Sequence, residues 1–287
     1  MNYKNITIGI VTFKSEKVIF ECLKSIKKIK KIIIFDNSYD AELKKKIKKK
    51  YPNINFILSK KNLGYGGGNN KIFQLAKTSH VLILNPDTIM GGNCEKELLK
   101  SLQQLKSKFA IMSPNEKNKN FGLFKENNEN KINPSKDIYD VDYVKGFAML
   151  INLQKIKNVG MFDKNIFLYL EDIDLCKRLK LKKQKIYVCK KAEIYHLGAK
   201  SSNFGFESEK CRNWHWMWSK VYYNKKFSNN FVIYTKFIVK LILYSFRLIA
   251  YSLTFQMKKK IIIYMRMSGI YNSLMGRKSW YRPVFRK

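Results

Sequence analysis

The stretch ITIGIVTFKSEKVIFECLKSIKKIKKIIIFDNS, residues 6–38, decides the fold. Two β-branched runs flank a segment in which Ile19, Cys22, Leu23 and Ile26 recur at the spacing of one helical face. This order predicts a strand, a helix and a second strand parallel to the first. Because such β-α-β units build mostly parallel sheets, the sequence predicts an α/β fold.

The same alternation continues through the first two thirds of the chain. Helices are predicted at Glu16–Lys30 and Cys94–Leu105. After about residue 205 the pattern changes, so we expect an α/β domain over residues 1–205 and a helical region over residues 206–287. The predicted strands are Ile6–Phe13, Lys31–Asp36, Ile54–Leu58, Val81–Asn85, Phe109–Ser113, Tyr143–Ile151 and Lys185–Cys189.

Composition narrows the class of protein. The chain has 287 residues, 45% of them hydrophobic, which allows one sizeable domain and an appendage. Its five cysteines are scattered without a C-x-x-C spacing, which indicates neither a disulfide framework nor a zinc site. The N-terminal MNYKNITIGIVTF lacks the pattern of a signal peptide. We therefore expect a protein of the reducing cytoplasm.

Basic residues far outnumber acidic ones. The formal net charge is +36, from 57 Lys and Arg against 21 Asp and Glu. The excess is greatest over residues 210–287, which contain seventeen Lys and Arg and no Asp or Glu. Such a surface attracts polyanions, whether nucleic acid, anionic lipid or diphosphate.

Residues 231–255 form an apolar segment that Lys236, Lys240 and Arg247 interrupt. At about 100° per residue, these three charges fall within roughly 40° of one another on a helix. The pattern favours an amphipathic helix lying in the surface of an anionic membrane, with a narrow basic stripe at the headgroups. A helix packed on the first domain and a membrane-spanning helix are the alternatives.

Polar residues follow the first two predicted strands at their carboxyl ends. Thr12 and Phe13 end the first strand, and Asp36 and Asn37 end the second. This edge of an open parallel sheet binds ligands, and an acidic residue there can hydrogen-bond a ribose or a base. All four are candidates for a nucleoside site, with capping of the next turn as the alternative for Asp36 and Asn37.

A glycine-rich stretch, NLGYGGGNN at residues 62–70, precedes a predicted helix over residues 71–77. Glycines let a backbone approach a ligand closely, and a helix N-terminus favours an anion. The stretch therefore predicts a diphosphate site that includes Gly64, Gly67 and Asn69, with a flexible turn as the alternative. Its spacing matches neither a dinucleotide fingerprint nor a P-loop.

Later segments supply candidate acids and a histidine. Asp87, which ends the sequence NPD after the fourth strand, can hold Mg²⁺ or Mn²⁺ against a diphosphate, although NPD also fits a simple turn. Near a predicted helix start, Asp172 is a candidate general base for an attacking hydroxyl, with Glu171 beside it. His196 is a candidate metal ligand beside Asp87 or a structural histidine.

The order of these motifs resembles that of family 2 inverting glycosyltransferases of the GT-A fold, especially the bacterial branch that includes rhamnosyltransferases of cell-surface polysaccharides. The resemblance spans about two thirds of the chain. It is carried by VTF at 11–13, DNS at 36–38, NLGYGGGNN at 62–70, LNPD at 84–87, GFAML at 146–150, GMFD at 160–163, EDIDL at 171–175 and His196.

The resemblance implies a Rossmann-like GT-A domain whose nucleoside contacts come from the four strand-end residues. It also implies a metal and diphosphate site at Asp87, Asp172 as general base, and Glu171 as a residue that orients the acceptor. The sequence departs from the family's D-x-D pattern at Asn85, which stands in place of the first carboxylate. An amide oxygen is a weaker cation ligand than a carboxylate, so His196 gains importance.

The resemblance thus implies a metal-dependent hexosyltransferase that uses Mg²⁺ or Mn²⁺. We expect it to move a sugar, with rhamnose as the first candidate, from a dTDP or UDP donor to a lipid-linked or surface glycan, in bacterial surface polysaccharide synthesis. With its basic helical extension, it is expected to be peripheral on the inner face of the cell membrane.

Two other classes of protein compete with this expectation. A sugar-nucleotide pyrophosphorylase needs a glycine-rich loop at the first strand, and TFKS at residues 12–15 does not supply one. A basic nucleic-acid-binding module would stack bases on the C-terminal aromatic residues Trp214, Trp216, Trp218, Tyr222 and Tyr223.

Overall fold

The computed structural model describes residues 2–106, 108–117, 124–126, 137–198 and 205–282. The chain divides into two compact units, the first comprising Met1–Asp163 and Asp172–Ser202 and the second Lys164–Glu171 and Asn203–Lys287. The predicted domains, 1–205 and 206–287, stay a prediction. The short segment 164–171, which belongs to the second unit, was not anticipated from the sequence.

Strands and helices alternate through the described part of the first unit, as the sequence predicts. The helices are α1 (Glu16–Ser25), α2 (Ala41–Lys50), α3 (Gly64–Leu75), α4 (Cys94–Gln104), α5 (Leu153–Lys157) and α6 (Glu171–Leu181). The strands are β1 (Ile6–Thr12), β2 (Lys31–Asp36), β3 (Asn55–Leu58), β4 (His80–Leu84), β5 (Thr88–Met90), β6 (Ile111–Glu116), β7 (Phe124–Glu126), β8 (Ile138–Val144), β9 (Ala148–Asn152) and β10 (Ile186–His196).

One sheet holds these strands in the order β3-β2-β1-β4-β9-β6-β10-β8-β7, with β5 paired to β10. Strands β1 to β4 pair in parallel, with Thr12 opposite Asp36. Their carboxyl ends therefore meet at one edge, where the sequence predicts a ligand site. The strands bury their apolar side chains beneath the helices, and all seven residues of β1 are buried.

The single strand predicted over Tyr143–Ile151 is wrong, because the structure has two strands joined by a turn at Gly146 and Phe147. After this turn, β9 runs antiparallel to both β4 and β6 and lies between them. All five β9 residues are buried. Lys145 and Gly146 interrupt the apolar pattern where the chain reverses, and the single predicted strand passed over this turn signal.

The glycine-rich stretch is not a loop before a helix at residue 71, because α3 already begins at Gly64. Gly64 has a φ of 76°, a conformation that suits glycine at this point. A Cβ at Gly68 would lie 2.9 Å from the γ carbons of Val11 on β1. Some of the glycines therefore let α3 approach the sheet closely.

The second unit contains three long helices, α7 (Phe206–Phe227), α8 (Asn230–Leu253) and α9 (Met257–Leu274). Helices α7 and α9 pack closely, since a Cβ at Gly269 would overlap the carbonyl oxygen of Trp214. Trp214 and Trp218 are 0% and 2% exposed. These two residues therefore do not present the stacking surface that a nucleic-acid-binding module needs.

Helix α8 matches the predicted apolar segment. It packs within the second unit through Ile233, Phe237 and Tyr244, while much of its remaining surface is apolar and exposed. No helix in the described part of the chain combines the length and the hydropathy needed to cross a membrane.

Candidate active site

The predicted nucleoside residues lie together at the carboxyl ends of β1 and β2. Thr12 Oγ1 donates a hydrogen bond of 2.8 Å to Asp36 Oδ1, and both residues are fully buried. The Asp36 carboxylate also accepts hydrogen bonds from the hydroxyl and amide of Ser38 and from the amide of Asp40. These bonds match the alternative in which Asp36 caps a turn, and its contact with a nucleoside stays a prediction.

Asn37 connects this strand end to the start of α3. Its side chain donates to the carbonyl of Gly64 at 3.0 Å and accepts from the amide of Leu63 at 3.0 Å. Phe13 is half-buried at the neighbouring strand end. The predicted nucleoside residues and the start of the glycine-rich helix are thus brought together.

Within α3, the predicted diphosphate residues differ in accessibility. Gly64 and Asn69 are buried, whereas Gly67 is half-buried. Asn69 Nδ2 donates to the carbonyl of Tyr65 one turn earlier, at 3.1 Å. The Asn69 side chain therefore has a structural contact inside the helix, and its contact with a ligand stays a prediction.

Asp87 and His196 lie side by side because β5 pairs with β10. Thr88 is opposite His196 in this pairing, and the amide of Leu197 donates to the carbonyl of Asp87 at 2.9 Å. His196 Nε2 lies 3.5 Å from Asp87 Oδ1. The structure therefore places Asp87 and His196 close together, as the sequence predicts.

Asn85 is half-buried and begins the turn that leads to Asp87. Its backbone amide donates a hydrogen bond to the carbonyl of Phe147 at 2.8 Å, and its backbone carbonyl accepts one from the hydroxyl of Thr88 at 2.7 Å. The NPD sequence thus forms a tight turn, as its simpler interpretation requires. The same turn also directs Asp87 toward His196.

Glu116 is a candidate residue that the sequence analysis missed. It ends β6 and is 2% exposed, and its Oε1 lies 3.9 Å from His196 Nδ1. Burial raises the pKa of Glu116, while the nearby His196 and Lys145 act in the opposite direction. The strand was expected to end at Ser113, but it continues through Pro114, which brings Glu116 to the site.

The Asp87 and His196 pair fits a divalent cation. Asp87 is 1% exposed, and neither of its carboxylate oxygens accepts a hydrogen bond from the described residues. A buried carboxylate without a donor is costly unless a cation compensates it. Two ligand atoms that each lie about 2.1 Å from one cation are about 3.0 to 3.5 Å apart, as Asp87 Oδ1 and His196 Nε2 are.

Among the described residues, no third His, Cys, Asp or Glu side chain completes a ligand set with Asp87 and His196. Within the described ranges, no group of three or more His, Cys, Asp and Glu side chains can hold a metal ion. Mg²⁺ commonly binds through one or two carboxylates together with phosphate oxygens and water. A site with two protein ligands is therefore suited to a cation that arrives with a phosphate-bearing ligand.

Asp172 lies in the first turn of α6 and is half-buried. Its Oδ2 accepts a hydrogen bond of 2.7 Å from the amide of Gly146, and its Oδ1 accepts one of 2.8 Å from the amide of Ile173. Burial raises the pKa of Asp172, although these backbone hydrogen bonds oppose the effect. A carboxyl group with a raised pKa and partial exposure can accept a proton from a ligand.

The acidic neighbours of Asp172 have different surroundings. Glu171 is buried and belongs to the second unit. Asp174 is fully buried and forms a 2.7 Å ion pair with Arg178, whose guanidinium also binds the carbonyls of residues 159–161. Asp174 therefore has a structural role.

The turn at Gly146 and Phe147, here called the 146–147 turn, joins the two groups of acidic residues. Gly146 binds Asp172 through its amide, and its carbonyl accepts a hydrogen bond from the Tyr65 hydroxyl. The Phe147 ring stacks on His196 with centroids 4.4 Å apart and planes at 15°. The adjacent residues Gly146 and Phe147 thus contact Asp172 and His196, respectively.

Comparison with known proteins places this geometry in context. The chain is 28% identical over 210 residues to the low-salt glycan biosynthesis hexosyltransferase Agl10 of Haloferax volcanii, covering 67% of each chain. It is 29% identical over 219 residues to the rhamnosyltransferase WbbL of Escherichia coli, covering 64% of this chain and 78% of WbbL.

Structural comparison supports the same fold. The mannosyltransferase PcManGT from Pyrobaculum calidifontis, solved with GDP-Man and Mn²⁺, has a TM-score of 0.58 at 10% identity, covering 96% of this chain and 88% of that one. The predicted α/β fold of the GT-A type is confirmed. The sequence model of glycosyl transferase family 2 matches residues 7–172, which is more than half of the chain. The chain belongs to glycosyl transferase family 2.

Proposed function

We propose that this glycosyltransferase moves a sugar from a nucleotide diphosphate to an acceptor hydroxyl with inversion at the anomeric carbon. The 146–147 turn is the observation that carries the proposal. Gly146 holds the half-buried Asp172 by a hydrogen bond, and Phe147 stacks on His196, which lies beside the buried Asp87. An inverting transfer needs a base for the acceptor and a separate site for the leaving diphosphate, and the two groups meet these needs.

On the acceptor side, Asp172 acts as the general base. Its carboxylate accepts the proton of the acceptor hydroxyl while that oxygen forms a bond to the anomeric carbon. The bond between the anomeric carbon and the diphosphate oxygen breaks in the same displacement, and the electron pair leaves with the diphosphate. Glu171 orients the acceptor in this proposal.

On the leaving-group side, Asp87 and His196 would hold Mg²⁺ or Mn²⁺. The cation would supply positive charge to the departing diphosphate. Asn85 lies in the turn that leads to Asp87 and offers a side-chain amide beside the proposed cation. Gly64, Gly67 and Asn69 lie near the start of α3, where helix N-H groups favour phosphate.

The nucleoside and sugar are assigned by analogy. Thr12, Phe13, Asp36 and Asn37 border the proposed nucleoside site, for a dTDP or UDP donor. The names of Agl10 and WbbL support a hexose and rhamnose respectively, and a role in glycan biosynthesis. We propose rhamnose as the first sugar to test and a glycan of the cell surface as the acceptor.

A thermal-shift panel tests the donor site. The thermal midpoint should rise with UDP or dTDP and with their sugars, and the rise should be larger with Mn²⁺ or Mg²⁺ than with EDTA, because ligands that bind only the folded state stabilise it. ADP and inorganic phosphate serve as controls. No shift with any nucleotide diphosphate, or the same shift with phosphate alone, would contradict the proposed donor class.

We further propose that the protein docks on an anionic membrane that carries the acceptor. Helix α8 exposes an apolar face, called here the α8 face, opposite the residues that pack inside the second unit. Exposed apolar surface of this extent marks a contact with a membrane or with another protein. The α8 face consists of Phe231, Val232, Ile238, Val239, Ile242, Leu243, Phe246, Ile249 and Leu253.

The borders of the α8 face favour a membrane. At about 100° per residue, Lys236, Lys240 and Arg247 follow one border of the face. By the same helical geometry, the hydroxyl-bearing residues Tyr234, Ser245 and Ser252 follow the other border. Apolar residues between a basic and a polar border suit a helix in the plane of an anionic interface. This arrangement supports a peripheral location on the inner face of the cell membrane.

Vesicle co-sedimentation tests this membrane proposal. Changing Lys236, Lys240 and Arg247 together to Gln should weaken binding to anionic vesicles by about 100-fold, since each basic residue near the surface contributes about 1 kcal/mol. The matched control changes three exposed lysines of the first unit, Lys45, Lys49 and Lys100, to Gln. Equal wild-type binding to neutral and anionic vesicles, or an equal loss in both triple variants, would contradict docking through α8.

A further inference from the structure

Glu116 lies beside His196 at the proposed cation site and takes no part in the proposed reaction. Its carboxylate is buried at the end of β6, and neither oxygen accepts a hydrogen bond from the described residues. It faces His196 from the Nδ1 side, at 3.9 Å, whereas Asp87 faces the same ring from the Nε2 side, at 3.5 Å. One imidazole thus lies between two buried carboxylates.

The backbone fixes this arrangement. Glu116 lies on β6 opposite Ile194 of β10, while β5 pairs with the other side of β10 and places Thr88 opposite His196. The stacked Phe147 ring defines the plane of the imidazole. Because the two ring nitrogens point in diverging directions, Glu116 faces the edge of the ring opposite to the one that faces Asp87.

We infer that Glu116 is a positioning residue whose carboxylate, 3.9 Å from Nδ1, favours the proton of His196 on that nitrogen and so presents the unprotonated Nε2 to the cation beside Asp87. The inference rests on the proposed cation site. A neutral imidazole carries one proton, and the nitrogen that binds a metal must be free of it. A carboxylate on the other nitrogen selects the required tautomer and makes the ring a stronger ligand.

Mn²⁺ binding measured by calorimetry tests the role of Glu116 without relying on turnover. Mn²⁺ is added alone and together with the nucleoside diphosphate that gives the largest thermal shift. Glu116→Leu should weaken Mn²⁺ binding by about 10- to 100-fold, because such carboxylate partners of metal-bound histidines contribute on this scale. Glu116→Gln keeps an acceptor oxygen for Nδ1-H and should lose clearly less.

The control is Glu193→Gln, which removes an exposed carboxylate from the neighbouring strand β10 and should bind Mn²⁺ like the wild type. Wild-type affinity in folded Glu116→Leu would overturn the inference. So would an equal loss in the Leu and Gln variants, since the acceptor oxygen would then be irrelevant. Asp87→Asn separates the two proposals, because retained Mn²⁺ binding in that variant would refute the cation site itself.

A second measurement needs no substitution. Long-range ¹H–¹⁵N spectra of the wild type with Mg²⁺ and the same nucleoside diphosphate should show His196 protonated at Nδ1 and unprotonated at Nε2. His80 and His215 provide neutral references, because burial lowers their pKa to about 4 and about 3. A proton on Nε2, or on both nitrogens, would overturn the inference even if Glu116→Leu did not fold.

Discussion

Changing Asp172 to asparagine should lower turnover by about 10²- to 10⁴-fold and leave donor binding intact, because a general base contributes on this scale. The amide of the variant cannot accept the proton of the acceptor hydroxyl. It can still receive the hydrogen bond from Gly146, so the 146–147 turn should keep its conformation. Steady-state kinetics with a thermal-shift titration of the donor would measure both parts.

The pH profile adds a second signature of the base. Burial raises the pKa of Asp172, and the residue must be ionised to act. The value of kcat/KM should therefore fall as the pH falls through this raised pKa, above the range of an ordinary carboxyl. The residual activity of Asp172→Asn should lack that acid limb.

Asp174→Asn is the matched control, two residues further along the same helix. It breaks a buried ion pair with Arg178, so the thermal midpoint should fall, while kcat of the folded protein should stay within a few-fold of the wild type. Near wild-type turnover in Asp172→Asn would show that the base is another group.

Changing Asp87 to asparagine should separate activity from stability. Turnover should fall by at least about 100-fold, because in the proposed mechanism the leaving diphosphate would lose the positive charge of the cation at Asp87. In EDTA, however, the variant should melt at the same temperature as the wild type or higher. The reason is that Asp87 is a buried carboxylate without a hydrogen-bond donor among the described residues, and its charge is costly in the metal-free protein.

Asp36→Asn provides the contrast on a nearby strand end. The Asp36 carboxylate accepts hydrogen bonds from Thr12, Ser38 and Asp40, and an amide group cannot accept them all. Its thermal midpoint in EDTA should therefore fall by several degrees, for a loss of about 1 to 3 kcal/mol. A comparable fall in Asp87→Asn would contradict a net cost of burying the Asp87 charge in the metal-free protein.

The first half of the fold could be predicted from the sequence because its elements are local. The strands β1 and β2 and the helix between them follow from periodicity, and the observed bounds differ from the predicted ones by a few residues at most strand ends. The helix α1 ends at Ser25 and not at the predicted Lys30, because Ile26 is already extended.

Strand β10 is one exception to this agreement, since it continues from Cys189 to His196, and the region of β8 and β9 is another. The pairing of β10 shifts between Cys189 and Glu193, and exposed Lys190 and Lys191 interrupt the apolar pattern there.

The candidate site was only partly predictable, because its contacts are long-range. The proximity of Asp87 and His196 was proposed from chemistry, and the pairing of β5 with β10 provides it. Glu116 was missed because its position depends on the register between β6 and β10. The contacts of Arg178 were missed because its guanidinium, on α6, binds carbonyls of residues 159–161 that precede the helix in the sequence. An acidic residue at the end of a buried strand was the available signal for Glu116.

The 146–147 turn has a mechanical consequence for the reaction. It leads directly into β9, whose five buried residues lie between β4 and β6 in the middle of the sheet. A displacement of this strand would carry the contacts to Asp172 and to His196 in the same direction. The proposed acceptor base and the proposed leaving-group site therefore share one backbone support in the middle of the sheet.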